Sequence, residues 1–232
     1  MCASAVAVRA ASSGRAVIVV LLGPPGCGKG TQGERLAAAL KVPKISTGDV
    51  IRAAMKTGTP LGVRAKSFYD RGDLVPDDLI LDIIRETLAA PEQARGAVLD
   101  GVVRTVPQAE GLAKVLTAIN RTLDLVLLFE IADDKLVGRL SARTVCESCQ
   151  SPFMGRTPGE LHAECTKEPK GRLVRRKDDE PDAIRNRLKV YHAQTAPVVE
   201  WYRGSGGPLK AIDALGTVDE VRARVHAAAG VR

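Results

Sequence analysis

Short apolar runs alternate along this chain with stretches of helical periodicity. Val17 to Leu22, VIVVLL, is closed by Gly23 and Pro24, which is the length and punctuation of a strand buried on both faces. Ala97 to Leu99, Leu125 to Ile131 and Leu209 to Ile212 read the same way. The intervening pattern predicts helices over Lys29–Leu40, Asp77–Leu88, Val106–Leu116, Asp133–Ser141, Pro181–Tyr202 and Val218–Ala229. Strand and helix in alternation predict an α/β fold of three layers, a central parallel sheet covered on both faces. Ligands of such sheets bind at the carboxyl ends of the strands, where Gly23 to Lys29 falls.

Two segments break the alternation and read as insertions. Ser46 to Val75 is helical, with turns at Gly58 and Gly72. Arg143 to Arg176 is rich in Cys, Gly, Pro and basic residues and poor in aliphatic periodicity, so it predicts a small lobe held by its own staple.

Composition narrows the class. A chain of 232 residues, 45% hydrophobic, buries a sizeable core as one domain with insertions. No apolar run approaches the roughly 20 residues of a membrane helix. The net charge of +7 suits nucleic acid, an anionic surface or polyphosphate substrates, but aromatics are 3% and the basic residues are scattered, which argues against nucleic acid. Five cysteines, three of them between Cys146 and Cys165, suggest a metal framework in a reducing compartment. The cytoplasm is the expected location. Residues 1–15 carry Arg9 and Arg15 and no acid, which reads as a flexible arm or as a mitochondrial presequence.

The chemistry starts at GPPGCGKGTQ, Gly23 to Gln32. A glycine-rich turn between strand and helix aims backbone N–H groups at phosphate, and Lys29 adds a mobile charge. The pattern G-x-x-x-x-G-K-[ST] is met up to Lys29, but Gly30 stands where the Mg²⁺-binding hydroxyl belongs, and Thr31 follows one place late. A metal must therefore rely on phosphate oxygens, water and carboxylates elsewhere, for which Asp49 and Asp100 are the natural candidates. Arg139 and Arg143 stand four apart, the spacing of one helix face, while Arg176 and Arg187 flank a helix start with Pro181 in its first turn. Cys146-x-x-Cys149 followed by Cys165 has zinc-ribbon spacing, and the fourth ligand is open between Glu168 and His162.

With ISTGDVIR (45–52), RGDLVPD (71–77) and DGVVRTVPQAE (100–110), these motifs resemble the adenylate kinases, nucleoside monophosphate kinases of the P-loop fold, in their long-lid form. The likeness extends from Val17 to the C-terminus. It implies an arm (1–15), a core domain (16–45, 76–138 and 177–232), a helical monophosphate-binding insertion (46–75) and a small lid (139–176). It implies reversible transfer of a phosphoryl group from ATP to AMP with Mg²⁺, giving two ADP, by a monomer with no nucleic-acid or membrane partner. GTP:AMP transfer, a weakly catalytic nucleotide-binding module and a zinc-ribbon RNA binder are the alternatives.

The residues implied on the nucleotides are Gly23, Gly26, Gly28, Lys29, Gly30 and Thr31 of the loop, then Thr47, Gly48, Arg52, Leu74, Val75, Arg104 and Gln108 for AMP. Arg139, Arg176, Arg187 and Gly216 complete the set. Lys29, Arg104, Arg139, Arg143, Arg176 and Arg187 would carry catalysis, and Cys146, Cys149, Cys165 and Glu168 a structural Zn²⁺. One motif departs: the family reads D-G-F-P-R-T where this chain has Val102 and Val103. A non-proline cis bond costs about 2.5 to 4 kcal/mol, so a trans bond, a rearranged loop and weaker AMP binding are expected.

Overall fold

The computed structural model describes residues 16–71 and 73–231. The expected arm and the turn at Gly72 lie outside them. In chain order the elements are β1 (Val17–Leu22), α1 (Lys29–Leu40), β2 (Lys44–Ser46), α2 (Thr47–Thr57), α3 (Pro60–Arg71), α4 (Asp77–Ala89), β3 (Gly96–Asp100), α5 (Val106–Ala118), β4 (Leu125–Glu130) and α6 (Asp133–Ser141). There follow β5 (Arg143–Cys146), β6 (Pro152–Met154), β7 (Leu173–Val174), α7 (Pro181–Val190), α8 (Ala196–Gly204), β8 (Leu209–Asp213) and α9 (Val218–Ala229).

Five strands form a parallel sheet in the order β2-β3-β1-β4-β8. Because successive side chains of a strand point to opposite faces, Val17, Val19 and Leu21 enter one apolar core and Ile18, Val20 and Leu22 the other. The first core is closed by α1, α6, α7 and α9 through residues such as Leu36, Leu136, Leu188 and Val225. The second is closed by α4, α5 and α8 through Ile84, Leu112 and Val198. The chain reverses its direction of travel across the sheet at β1, with β3 on one side and β4 on the other. The crevice that such a reversal opens lies at the end of β1, under Gly23 to Lys29.

Three elements depart from the sequence pattern. Lys44–Ser46 is an edge strand too short to show periodicity. Arg143–Val174, the segment read as a small lobe with no helix or strand assigned, holds a small antiparallel sheet, β6-β5-β7. The predicted helix Pro181–Tyr202 is interrupted by a π turn, Tyr191–Thr195, that ends two residues before Pro197. Proline lacks the N–H for the regular ladder and crowds the preceding turn, so the helix widens there instead of continuing.

The close fit of β3 to β1 fixes this crevice. Gly96 has φ +113°, and a Cβ there would stand 2.0 Å from the carbonyl oxygen of Val17. Gly96→Ala is therefore expected to destabilise the fold by about 3 kcal/mol or more, read as a lowered urea midpoint. An unmoved midpoint would show that β3 shifts away from β1 at no cost.

Candidate active site

Gly28 takes the left-handed conformation, φ +103°, directly before α1 and lets the loop turn into the helix. Gly23 and Gly26 are crowded instead: added Cβ atoms would meet the Phe129 carbonyl oxygen at 2.7 Å and Leu140 at 2.8 Å. The loop thus packs directly on β4 and α6. Lys29 Nζ donates to the carbonyl oxygens of Gly23 at 2.6 Å and Pro24 at 2.8 Å, and lies 3.4 Å from Cys27 Sγ. Gly30 and Thr31 form the first turn of α1, where backbone N–H groups lack helical partners. Asp100 ends β3 with Oδ2 3.5 Å from the Cβ position that Gly30 lacks, so a carboxylate does face the loop. Asp49 does not. It pairs with Arg52, three residues on along α2, while its N–H is capped by Ser46 Oγ at 3.3 Å.

A cleft beside this loop is lined by Thr47, Gly48, Arg52, Leu74, Val75, Arg104, Gln108, Arg176 and Arg187, together with Ile51, Tyr69 and Asp178. Thr47 Oγ1 donates to the Gly101 carbonyl at 2.7 Å and ties α2 to the end of β3. Arg104 is fixed through its backbone: its N–H donates to Gln108 Oε1 at 2.7 Å, and its carbonyl accepts from Thr195 Oγ1, on the π turn, at 2.9 Å. Gln108 Nε2 in turn donates to Asp77 Oδ1 at 2.7 Å, so any contact to a base competes with bonds it already makes. Arg52 Nε is buried and has no partner. An orphaned guanidinium N–H in a cleft marks a place for an anion.

Val102 and Val103 are buried in the core beneath Arg104, and the peptide bond between them is trans, as the missing proline predicts.

The arginines are drawn together by two consecutive carboxylates in the turn between Arg176 and α7. Asp179 takes a two-pronged bond from Arg143, Nε to Oδ2 at 2.7 Å and Nη2 to Oδ1 at 2.6 Å. Arg187 Nη1 reaches Asp179 Oδ1 at 2.9 Å and Asp178 Oδ2 at 3.0 Å, and Arg176 Nε bonds Asp178 Oδ1 at 2.8 Å. Burial works against the Asp178 carboxylate, but Arg187 and Arg176 outweigh it and hold its carboxyl well below the usual range. Burial lowers Arg104, and it pulls Arg187 down to about 10 against the attraction of Asp178. Arg176 moves the other way, because Asp178 overcomes its burial.

Arg139 and Arg143 do not share a helix face. Helix α6 ends at Ser141, so Arg143 opens β5 and turns to Asp179, whereas Arg139 donates from both Nη atoms to the Ala214 carbonyl at 3.2 Å. Gly216 sits in the loop after β8, at the same carboxyl edge of the sheet. Sequence reasoning missed the cleft residues Asp178 and Tyr69, and with them Asp179, the buried partner of Arg143 and Arg187. The acid pair was marked by its place in RRKDDE, between basic residues, whereas Tyr69 carried no signal.

In the small lobe the donor atoms of Cys146, Cys149, His162 and Cys165 lie within 4.8 Å of one another. Cys146 Sγ and Cys165 Sγ are 3.7 Å apart, and Cys149 Sγ is 3.4 Å from His162 Nδ1. Tetrahedral zinc requires about 3.8 Å between sulfurs and about 3.5 Å between sulfur and nitrogen, so these two pairs match that ion and the cluster, no wider than 4.8 Å, is compatible with it. The backbone N–H of Gly171 leads the groups that hold the Cys165 thiol down to about 7, toward the thiolate a metal takes. Glu168, the expected fourth ligand, is exposed and outside the group, because the chain after Cys165 runs along the surface. His162 is turned inward by its N–H bond to the Gly171 carbonyl at 2.9 Å and by edge contact with Phe153.

Asp178→Asn leaves buried guanidiniums short of a counter-charge and is expected to cost about 3 kcal/mol or more of stability at neutral pH. The folded-state pKa of Asp178 is depressed, so its contribution is full above the unfolded carboxyl value near 4 and fades as pH falls below it. The gap between the two proteins' urea midpoints should therefore narrow in acid. A gap independent of pH would remove the carboxylate from this role.

The adenylate kinase family model matches residues 21–206. An adenylate kinase of Gemmatimonas aurantiaca is 63% identical over 213 residues, 91% of this chain and 98% of that protein. Adenylate kinases of Methanocella arvoryzae and Geobacter sp. strain M21 are 45% and 42% identical, each over 90% of this chain and at least 96% of the relative. With the glycine-rich loop, the parallel sheet and the arginine cleft, these likenesses show that the chain belongs to the adenylate kinase family.

Proposed function

We propose that this chain transfers the terminal phosphoryl group of ATP to AMP, reversibly, giving two ADP. The observation that carries the reading is the convergence of Arg52, Arg104, Arg176 and Arg187 on one cleft beside the glycine-rich loop, with Arg52 Nε left unpartnered there. Phosphoryl transfer needs charge neutralised on the phosphate oxygens and the two nucleotides aligned; it needs no covalent intermediate.

In this reading the residues divide between the substrates. Gly23, Gly26, Gly28, Gly30 and Thr31 offer backbone N–H groups to the triphosphate, and Lys29 exchanges its two loop carbonyls for phosphate oxygens. Arg139, Arg143, Arg176 and Arg187 stabilise the transferred group, with Gly216 at the donor's edge. AMP meets Arg52 and Arg104 through its phosphate, Thr47, Gly48 and Gln108 through polar contacts, and Leu74 and Val75 through its base. The segments 46–75 and 139–176 close over the nucleotides and exclude water, the competing acceptor. Magnesium bound with ATP would supply charge neutralisation on the phosphates, and Asp100, which faces Gly30, would be the carboxylate that holds it.

Zinc in the small lobe is structural, held by Cys146, Cys149, Cys165 and His162. The lobe's apolar core comprises Cys146, Cys165 and Leu173 with Cys149 and Phe153 against them, too little to fold without a staple. No helix among the described residues is long and apolar enough to cross a membrane. A cytoplasmic monomer acting on free nucleotides, with no nucleic-acid partner, completes the proposal.

Purified protein is expected to form ADP from ATP, AMP and Mg²⁺, and Lys29→Ala should lower turnover by roughly 10²–10³ without unfolding the chain. Near-normal turnover in that variant would refute the role of Lys29, and absence of ADP formation by the unaltered protein would refute the activity. Metal analysis should find about one zinc per chain, lost in His162→Ala and kept in Glu168→Ala. The reverse pattern would restore Glu168 as ligand, and a chain without zinc whose melting ignores chelators would reject the staple.

A further inference from the structure

Tyr69 has no part in the roles given above, yet its hydroxyl stands at the centre of the arginine cluster. A phenol oxygen has one proton to give and two lone pairs to offer. All three are in use: it accepts from Arg52 Nη1 at 3.2 Å and from Arg176 Nη2 at 2.8 Å, and donates to Asp178 Oδ1 at 3.1 Å. These partners come from α2 and from the turn before α7, while Tyr69 itself sits on α3. The Arg52 guanidinium also rides over the Tyr69 ring, 6.0 Å from its centroid. Two like charges share one neutral oxygen, and each also pairs with a carboxylate, Arg52 with Asp49 and Arg176 with Asp178, which Arg187 shares. Without the hydroxyl, nothing in that set links the two arginines to each other.

We propose that the Tyr69 hydroxyl is a positioning residue for the acceptor phosphate, bracketing Arg52 against Arg176 and Asp178. The guanidinium that meets the acceptor phosphate and the one that meets the transferred group are thereby set at a fixed separation before AMP arrives. This rests on the function proposed above.

Tyr69→Phe keeps the ring and removes the bridge. The KM for AMP is expected to rise roughly tenfold, the scale of a lost hydrogen bond to a charged group. The kcat and the KM for ATP should stay within about twofold, and inhibition by adenosine, which carries no phosphate, should be unchanged. Equilibrium binding of AMP and of adenosine to both proteins reads the same contrast without turnover. An unmoved or tightened AMP affinity, an equal loss for adenosine, or a fall in kcat at constant KM would each overturn the proposal. Failure of the unaltered protein to form ADP would strike the kinase reading instead, leaving the binding contrast to judge the bridge by itself.

Discussion

The cleft depends on one electrostatic constraint: buried guanidiniums must be brought together without driving each other apart. Two unit charges 4 Å apart repel by about 4 kcal/mol at the effective dielectric of a protein near its surface. Asp178 and Asp179 meet that repulsion. They are consecutive, both buried, and bonded to Arg143, Arg176 and Arg187 from three different parts of the chain. Because three arginines face two carboxylates, positive charge remains in excess, and a phosphate oxygen entering the cleft completes the balance. Replacing the acids by apolar residues would scatter the arginines, and adding acids would neutralise the cleft, so the small imbalance is itself the binding property.

The sheet supplies the second condition, which is placement. Parallel strands end at one edge, so the loop after β1, Asp100 after β3, the Arg139 contact to Ala214 after β8 and Gly216 all gather there without any local sequence relation. The two insertions leave and return at the same edge. Helix α2 starts directly from β2, and the small antiparallel sheet hangs between α6 and α7. Arg104 shows how much packing a single functional side chain draws on: Val102 and Val103 are buried beneath it, Gln108 holds its N–H, and a π turn forced by Pro197 delivers Thr195 to its carbonyl.

Much of this was legible in the chain. Buried parallel strands announce themselves as uninterrupted apolar runs, and the glycine spacing of residues 23–29 names a phosphate loop with its chemistry attached. What escaped was decided by contacts between distant residues. Lys44–Ser46 is too short to carry a period, and becomes a strand by pairing with β3. Arg139 and Arg143 have helical spacing, but α6 ends between them. Glu168 satisfied the expected spacing of a zinc ligand, whereas the turn that buries His162 depends on a bond to Gly171 that local sequence does not declare. Asp49 looked as open as Asp100 until α2 placed Arg52 one turn away from it.

Lysine and arginine are not interchangeable in this site. Each guanidinium is a planar fork whose geometry two-pronged bonds can fix, and Arg143 and Arg176 are held in that way by acids that do not leave the cleft. Lys29 is a point charge on a flexible stem, bonded here to carbonyls of its own loop. On the function proposed above, a triphosphate competes for it, because a charge-assisted bond to an anionic oxygen outweighs one to a neutral carbonyl. Arginines arranged in advance and a lysine recruited by its substrate make the donor site's full charge conditional on ATP. That dependence favours transfer between two bound nucleotides over loss of the phosphoryl group to water.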